Sequence, residues 1–314
     1  MTPIDRGAPN IHSPELWVAF LAGILALLAL DLYLWSRRHG EGLKAAIAWS
    51  AVWIVLSLAF GGYLWHRYGT EAGLEFFAGY LLEESLSVDN LFVFVLLFQS
   101  FAIPWEFQHR VLFWGVLGAL VLRGTLILAG VALVHRFRWV LLIFGAVLVY
   151  TAIKIALHRD EEGRSPRDNP VVRFVRNRFP VTDTIEGPHF FVRRGGRRYA
   201  TPLFLALIGA ETADLVFALD SIPAVFAVTD DSFLVFSSNI CALLGLRSLY
   251  FVVRGALARL RYLKPGLAVI LMFVGLKMLL YRWVHIPTGL SLAVIAGILA
   301  VAVVVSWLRP PPPE

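Results

Sequence analysis

One cysteine in 314 residues, Cys241, leaves this chain no partner for an internal disulfide and no thiolate cluster for a metal. Charge is scarce as well: Asp, Glu, Lys and Arg together make up 16% of the residues. The apolar runs are continuous rather than alternating, so they lack the period of two that half-buried strands need. Met1 to Ser13 has no basic n-region and no small-residue cleavage site follows the first apolar run, which is therefore expected to stay as a helix. These absences exclude a disulfide-stapled fold and a half-buried sheet.

Long hydrophobic runs take their place. With 58% hydrophobic residues and a mean hydropathy of +0.72, the chain holds more apolar surface than a soluble core of this length requires. Lipid offers the backbone no hydrogen-bond partner, so spanning segments must satisfy themselves as helices. The expected fold is all-α, a polytopic transmembrane helix bundle. A bilayer takes roughly 20 residues per helix. Nine spans are predicted near 14–35, 43–65, 74–99, 109–133, 138–158, 201–228, 233–255, 265–283 and 288–308.

The net charge of +6 would suit nucleic acid, but the placement of the basic residues argues for membrane topology instead. Ten arginines, from Arg159 to Arg198, fall between the fifth and sixth spans. Taking that loop as cytoplasmic also puts Arg37, Arg38, Lys44, Arg254, Arg259, Arg261, Lys264 and Arg309 inside. Only Arg6, Arg67, Arg136, Arg138 and Arg282 remain outside. The expected setting is the inner (cytoplasmic) membrane, amino terminus outside and carboxyl terminus inside, with the bilayer as partner and no nucleic acid. The Arg-rich loop is read as a topology determinant rather than an anionic-lipid site.

Within this apolar background lie two acidic clusters. One is Glu83-Glu84-Ser85-Leu86-Ser87-Val88-Asp89-Asn90; the other is Glu211-Thr212-Ala213-Asp214 with Asp220-Ser221-Ile222-Pro223. A carboxylate at membrane depth is costly, so each marks a functional site by default. Setting Asp89 against Asp220 places Glu83 opposite Asp214 and Asn90 opposite Ser221. Arg123 then matches Arg247 and Lys154 matches Lys277, with Arg-to-Lys separations of 31 and 30 residues. The predicted repeat is residues 74–158 and 201–283, three helices each. Three is odd, so the second copy enters from the opposite face, an inverted-topology repeat with its site near the midplane. Outside it lie the external tail 1–13, peripheral spans in 14–73, the Arg-rich loop 159–200, and a ninth span with a Pro-rich tail in 284–314. Spans one, two and nine are expected to serve as scaffold or as the surface of a homo-oligomer.

The candidate ligands are Glu83, Glu84, Asp89, Glu211, Asp214 and Asp220, with Asn90, Asn239, Ser87 and Ser221 as neutral oxygens. An oxygen-only set without His or Cys suits Mn2+, Mg2+ or Ca2+. Asp214 and Asp220 would point about 120° apart on an unbroken helix, and Glu84 and Asp89 about 140°. Pro223 would kink its helix beside Asp220 and free the carbonyl of Leu219. In the first copy Asp89 and Asn90 would face the ion, while Glu83 or Glu84 pairs with an intramembrane cation such as Arg123. Six acids against Arg123, Lys154, Arg247 and Lys277 leave two negative charges, which a dication or a bound proton would offset. Other polar residues read more plainly. Asp31 is expected to pair with Arg37 or Arg38, Asp230 and Asp231 to be solvated or capping, Cys241 to pack, and His66, His109, His135 and His285 to sit at span ends.

The segments E-E-S-L-S-V-D-N-L-F-V-F, E-T-A-D-L-V-F-A-L-D-S-I-P-A-V-F and S-S-N-I-C-A-L-L-G-L-R-S-L-Y-F resemble the TerC/Alx family of integral membrane proteins. The amino-terminal L-A-L-D-L ending at Leu32 is similar to that family's first span, so the likeness runs over roughly residues 14–308. It implies membership of a superfamily of small cation and amino-acid exporters, with manganese export associated with Alx-type members and tellurite resistance an older association. By motif match, Asp89, Asn90, Glu84, Asp214, Asp220 and Ser221 take the family's acidic and polar intramembrane roles. Mn2+ is then cargo, and no cofactor is called for.

The reading is a manganese exporter working by alternating access. Export of another small cation, or of an amino acid whose carboxylate meets Arg123 or Arg247, is the alternative within transport. A non-transporting component of a tellurite- or stress-resistance complex is the alternative outside it. An aspartyl protease dyad of Asp89 and Asp220 lacks the Tyr-Asp and Gly-x-Gly-Asp contexts of that chemistry, so the chain is not expected to be an enzyme.

Overall fold

A computed structural model describes residues 11, 13–36, 43–137, 139–157, 169–182, 184–185, 187–253, 262–281, 283–284 and 286–308, without the side chains of 31–36, 43, 88, 89 and 253. Several expectations fall outside these residues. They include the side chain of Asp89, the pairing of Asp31 with Arg37 or Arg38, His285, and many of the arginines used for topology.

The chain is predominantly helical. In order, the elements are α1 (Pro14–Ser36), α2 (Leu43–Tyr68), α3 (Thr70–Ser100), α4 (Trp105–Arg136), α5 (Val140–Leu157), α6 (Pro170–Arg178), the hairpin β1 (Phe191–Arg194) and β2 (Arg197–Ala200), α7 (Pro202–Phe226), α8 (Ser232–Val253), α9 (Leu263–Leu279) and α10 (Thr288–Leu308). Their ends follow local chemistry. Gly69, at φ 98°, turns α2 into α3, a backbone conformation that costs a residue without Cβ little. Pro170 and Pro202 open α6 and α7, where a missing N–H is harmless. The Asp231 carboxylate accepts from the backbone N–H groups of Phe233 and Leu234 at 2.8 and 3.0 Å and caps α8, as expected. α7 runs on through Pro223 to Phe226.

Among the described residues six helices are long and apolar enough to cross a membrane: Lys44–Tyr68, Trp105–Arg136, Val140–Leu157, Pro202–Phe226, Ser232–Val252 and Thr288–Leu308. Of their apolar windows, that of α8 is 89% buried and the others 17–39%. α8 is therefore the central helix, and the others of the six turn apolar faces outward, with Val121, Val216, Leu219 and Val301 among the exposed residues.

The helices around α8 fix the site. α3 packs on α7 and α8, α4 packs on the same two, and α5 packs on α9 and more lightly on α7. Exchanging α3 with α7, α4 with α8 and α5 with α9 leaves these principal contacts in place. α2 lies on α3 and α8, α10 on α3 and α9, and α1 rests lightly on α8. The Arg-rich stretch, expected only to set topology, adds a small ordered structure to the all-helical plan. α6 packs on α7, and a hairpin pairs Phe191 with Ala200 and Arg194 with Arg197 around Gly195 and Gly196, both at positive φ.

α5 and α9 meet backbone to backbone. A Cβ on Gly145 would stand 3.0 Å from the Gly275 carbonyl oxygen, and one on Gly275 would stand 2.9 Å from that of Gly145. Small residues allow such approach where no hydrophobic force holds helices together in lipid. Gly275→Leu is expected to lower stability by about 1–3 kcal/mol through overpacking. Thermal unfolding in detergent checks it, with Gly297→Leu on α10, where nothing lies within 4 Å, as the neutral control.

Candidate functional site

Among the described residues the most deeply buried cation is Arg123, 1% exposed, midway along α4. A guanidinium does not shed its charge on burial, so carboxylates must come to it. Two do. Glu83 of α3, fully buried, accepts from Nη1, and Asp214 of α7 receives Nη2 at 2.6 Å and Nε at 3.0 and 3.1 Å. The Nε and Nη2 pair on Asp214 is the bidentate fork that gives such bonds their strength. Asn239 of α8, also fully buried, donates from Nδ2 to Glu83 at 2.9 Å, and its Oδ1 lies 3.5 Å from Nη1. Four helices thus meet on one guanidinium.

This pairing bears on two of the sequence readings. Glu83 holds Arg123, as its expected role as cation partner requires. Asp214, expected among the ion ligands, is instead occupied by Arg123 in this conformation. One buried guanidinium in low dielectric draws a second carboxylate more strongly than a lone acid can stay exposed to lipid. Among the described residues, no group of three or more His, Cys, Asp or Glu side chains could hold a metal ion.

The other acids stand around this centre. Glu211, nearly one helical turn before Asp214, lays its carboxylate against Gly118 of α4, where a Cβ would run into it. Glu84 is partly buried on α3 next to Glu83. Asp220 accepts a hydrogen bond at 2.9 Å from Thr151 of α5, and the charge of Lys154, one turn further along α5, reaches it. Lys277 donates to Ser291 of α10 at 2.9 Å, and Arg247 is buried in α8. Thr151 was not foreseen; its only signal was its position one turn ahead of Lys154.

Two oxygens of the predicted site are conspicuous for what they lack. Asn90 Oδ1 and Ser221 Oγ are buried and have no hydrogen-bond partner in the described structure. An unsatisfied buried oxygen costs about 1–3 kcal/mol, so such atoms call for an explanation. Both residues were predicted as ligands, and they are opposite numbers in the repeat alignment. They sit on α3 and α7, which pack together. Buried amide and hydroxyl oxygens facing no donor are fit to meet a hard cation.

A bundle of apolar helices with carboxylates and cations paired at its centre defines a polytopic integral membrane protein. The chain belongs to the TerC family, since residues 68–311 match the family described as "Integral membrane protein TerC family". It is 48% identical to an uncharacterized membrane protein of Myxococcus xanthus, over 96% of this chain and 94% of the relative. The same identity, over 96% of this chain and 97% of the relative, links it to an Escherichia coli K12 protein whose provisional name is membrane-bound redox modulator Alx. An uncharacterized membrane protein of Rickettsia bellii is 36% identical over 93% of this chain. No solved structure matches it.

Removing Arg123 should be severe. Arg123→Gln strands two buried carboxylates, and a loss of about 3–5 kcal/mol is expected. Glu83→Gln combined with Arg123→Gln should cost less than the two separate losses summed, because both act in one network. Thermal unfolding of the four proteins tests the coupling; strict additivity would show that the residues act independently.

Proposed function

We propose that this protein exports a divalent metal cation, Mn2+ foremost, by alternating access through an acidic site between two inverted three-helix repeats. The observation that carries the reading is the pair of unpartnered buried oxygens, Asn90 Oδ1 and Ser221 Oγ, at matching repeat positions next to Asp89 and Asp220 in the chain. Asp89, Asn90, Asp220 and Ser221 are the proposed ligands, with Glu84 as a further acid at the site. Asp214 joins them when Arg123 lets it go.

Charge supports a cation as cargo. Arg123 is met by both Glu83 and Asp214, so that cluster already carries one excess negative charge. Beyond it the sequence sets four further acids, Glu84, Asp89, Glu211 and Asp220, against three cations, Lys154, Arg247 and Lys277. Supporting the inverted repeat is the packing pattern, which keeps its principal contacts when α3–α5 are exchanged with α7–α9. Inverted repeats give a transporter two mirror-related access states from one scaffold. The proposed setting is the inner membrane, with nine spans, the amino terminus outside and the Arg-rich segment inside.

The relatives' names speak of redox modulation. A dithiol couple within one chain needs two cysteines, and Cys241 stands alone and buried. An intrachain dithiol couple is therefore not the route to any redox effect, and under the proposed function such an effect would follow from the metal content of the cell.

Transport into vesicles tests the reading. Purified wild-type protein in proteoliposomes should move Mn2+ down a gradient, competed by Mg2+ or Ca2+ only in excess. Asp89→Asn and Asp220→Asn should abolish the flux, while Asn90→Leu and Ser221→Ala should weaken it at least about tenfold, the effect of losing one charge-assisted ligand contact. Wild-type flux from both aspartate variants, confirmed folded by their unfolding profiles, would falsify the site.

A further inference from the structure

Residues 169–200 hold seven arginines against Asp183 and Glu186, an excess of five positive charges. In the described part, all seven arginines are exposed, and so are three phenylalanines among them: Phe174 at 67%, Phe179 at 54% and Phe191 at 51%. Exposed aromatic rings interleaved with arginine, on an ordered helix and hairpin, ask for a partner that is apolar and anionic at once.

Their location narrows the choice. The ring of Phe191 lies 4.5 Å from that of Phe204, in the first turn of α7. Val172, the buried residue of α6, stands 3.6 Å from where a Cβ on Gly209 would be, two turns into α7. α7 is long and apolar enough to cross the membrane from Pro202. α6 and the hairpin therefore lie beside the first two turns of a membrane-crossing helix, at the bilayer face, and do not stand clear of it in water. α6 is amphipathic: Val172 and Val175 turn toward the bundle, while Val171, Phe174 and Arg178 share an outer face at i, i+3 and i+7. Between the hairpin and α6 a groove of about 240 Å³ is lined by Phe179, Phe191, Arg198 and Ala200, one cation beside two rings.

We infer that α6 and the β1–β2 hairpin form an interfacial collar that docks on the anionic phospholipid headgroups of its leaflet. Phe174, Phe179 and Phe191 enter the acyl boundary, and Arg173, Arg176 and Arg178 meet phosphates above it. Arg198 holds one headgroup phosphate at the mouth of the groove, with the lipid's glycerol and first methylenes against Phe179 and Phe191. Amphipathic helices with a basic polar face bind interfaces in this way, and each arginine near an anionic surface adds to the attraction. A nucleic acid or an acidic peptide would match the charge but not rings set at the depth of a spanning helix. The collar stands on its own geometry, whatever ion the bundle carries.

Full-length protein with Cys241→Ser and Phe174→Cys, labelled at residue 174 with an environment-sensitive dye, is placed in nanodiscs of phosphatidylcholine alone or mixed with phosphatidylglycerol. Expected is blue-shifted emission, with quenching by chain-labelled lipids about twofold stronger in the anionic discs and falling as salt rises. The triple change Arg173→Gln, Arg176→Gln and Arg178→Gln should return quenching to the neutral-lipid level. Arg198→Gln alone, should the triple variant unfold in a thermal assay, should lower it part of the way. Water-like, unquenched emission in both discs overturns the proposal. So does quenching that ignores both lipid charge and the arginines. A blue shift without lipid quenching that grows with the number of protein copies per disc assigns the face to a second copy instead.

Discussion

A cation that cannot lose its proton, buried where water does not reach, governs the arrangement of the bundle. Arg123 on α4 requires carboxylates at its own depth, and α3 and α7 each deliver one, with Asn239 of α8 steadying Glu83. Buried ion pairs often add little to stability, because desolvating both partners offsets their attraction. What this cluster fixes is register. None of α3, α4 and α7 can slide by a turn without leaving a charge unpaired in an apolar interior, and α8 cannot without taking Asn239 from Glu83. That requirement also resolves an oddity of composition. α3 is the most acidic helix in the chain, with Glu71, Glu75, Glu83, Glu84 and Asp89, and it is not among the six helices apolar enough to span by sequence criteria, yet it lies against the central α8.

Much of this was legible in the sequence because hydrophobic length carries strong information in lipid. The span predicted at 109–133 lies inside Trp105–Arg136, whose polar ends continue the helix, and that at 265–283 overlaps Leu263–Leu279, which starts two residues earlier and stops four residues sooner. The partnership of Glu83 with Arg123 was readable from the rarity of charge at that depth. Asp214 was harder. Spacing alone cannot say whether an intramembrane acid faces an ion or a guanidinium, and here the guanidinium takes it. Thr151 was invisible for a different reason. Intramembrane threonines commonly bond the carbonyl four residues back, as Thr125 does to Val121 and Thr212 to Ile208, and only the tertiary structure shows Thr151 reaching Asp220. In the basic segment, Gly195-Gly196 between arginine pairs was a hairpin signal that the charge pattern concealed.

The site and the family membership fit together without strain. Relatives matching nearly the whole length of this chain share a membrane setting, and two of the three unsatisfied buried side-chain oxygens among the described residues, those of Asn90 and Ser221, fall on the two helices that carry the acidic motifs, the third being Ser50 Oγ of α2. An ion arriving at Asp89, Asn90, Asp220 and Ser221 would meet a bundle whose strongest internal bonds are already electrostatic. In the proposed cycle, an incoming cation would compete with Arg123 for Asp214, so that the carboxylate would always have a positive partner.

Gly145 and Gly275 give that exchange a mechanical setting. Where two helices touch through bare backbone, their flanking side chains close in around the contact, as Val149 of α5 and Met278 and Leu279 of α9 do here. The α5–α9 crossing is the tightest backbone approach of two helices that the described glycines of this bundle record. From it α5 reaches the acid Asp220 through Thr151, and α9 reaches Ser291 of α10 through Lys277. In the proposed alternating-access cycle, any side chain added at either glycine would wedge these two helices apart and hold the repeats at one spacing.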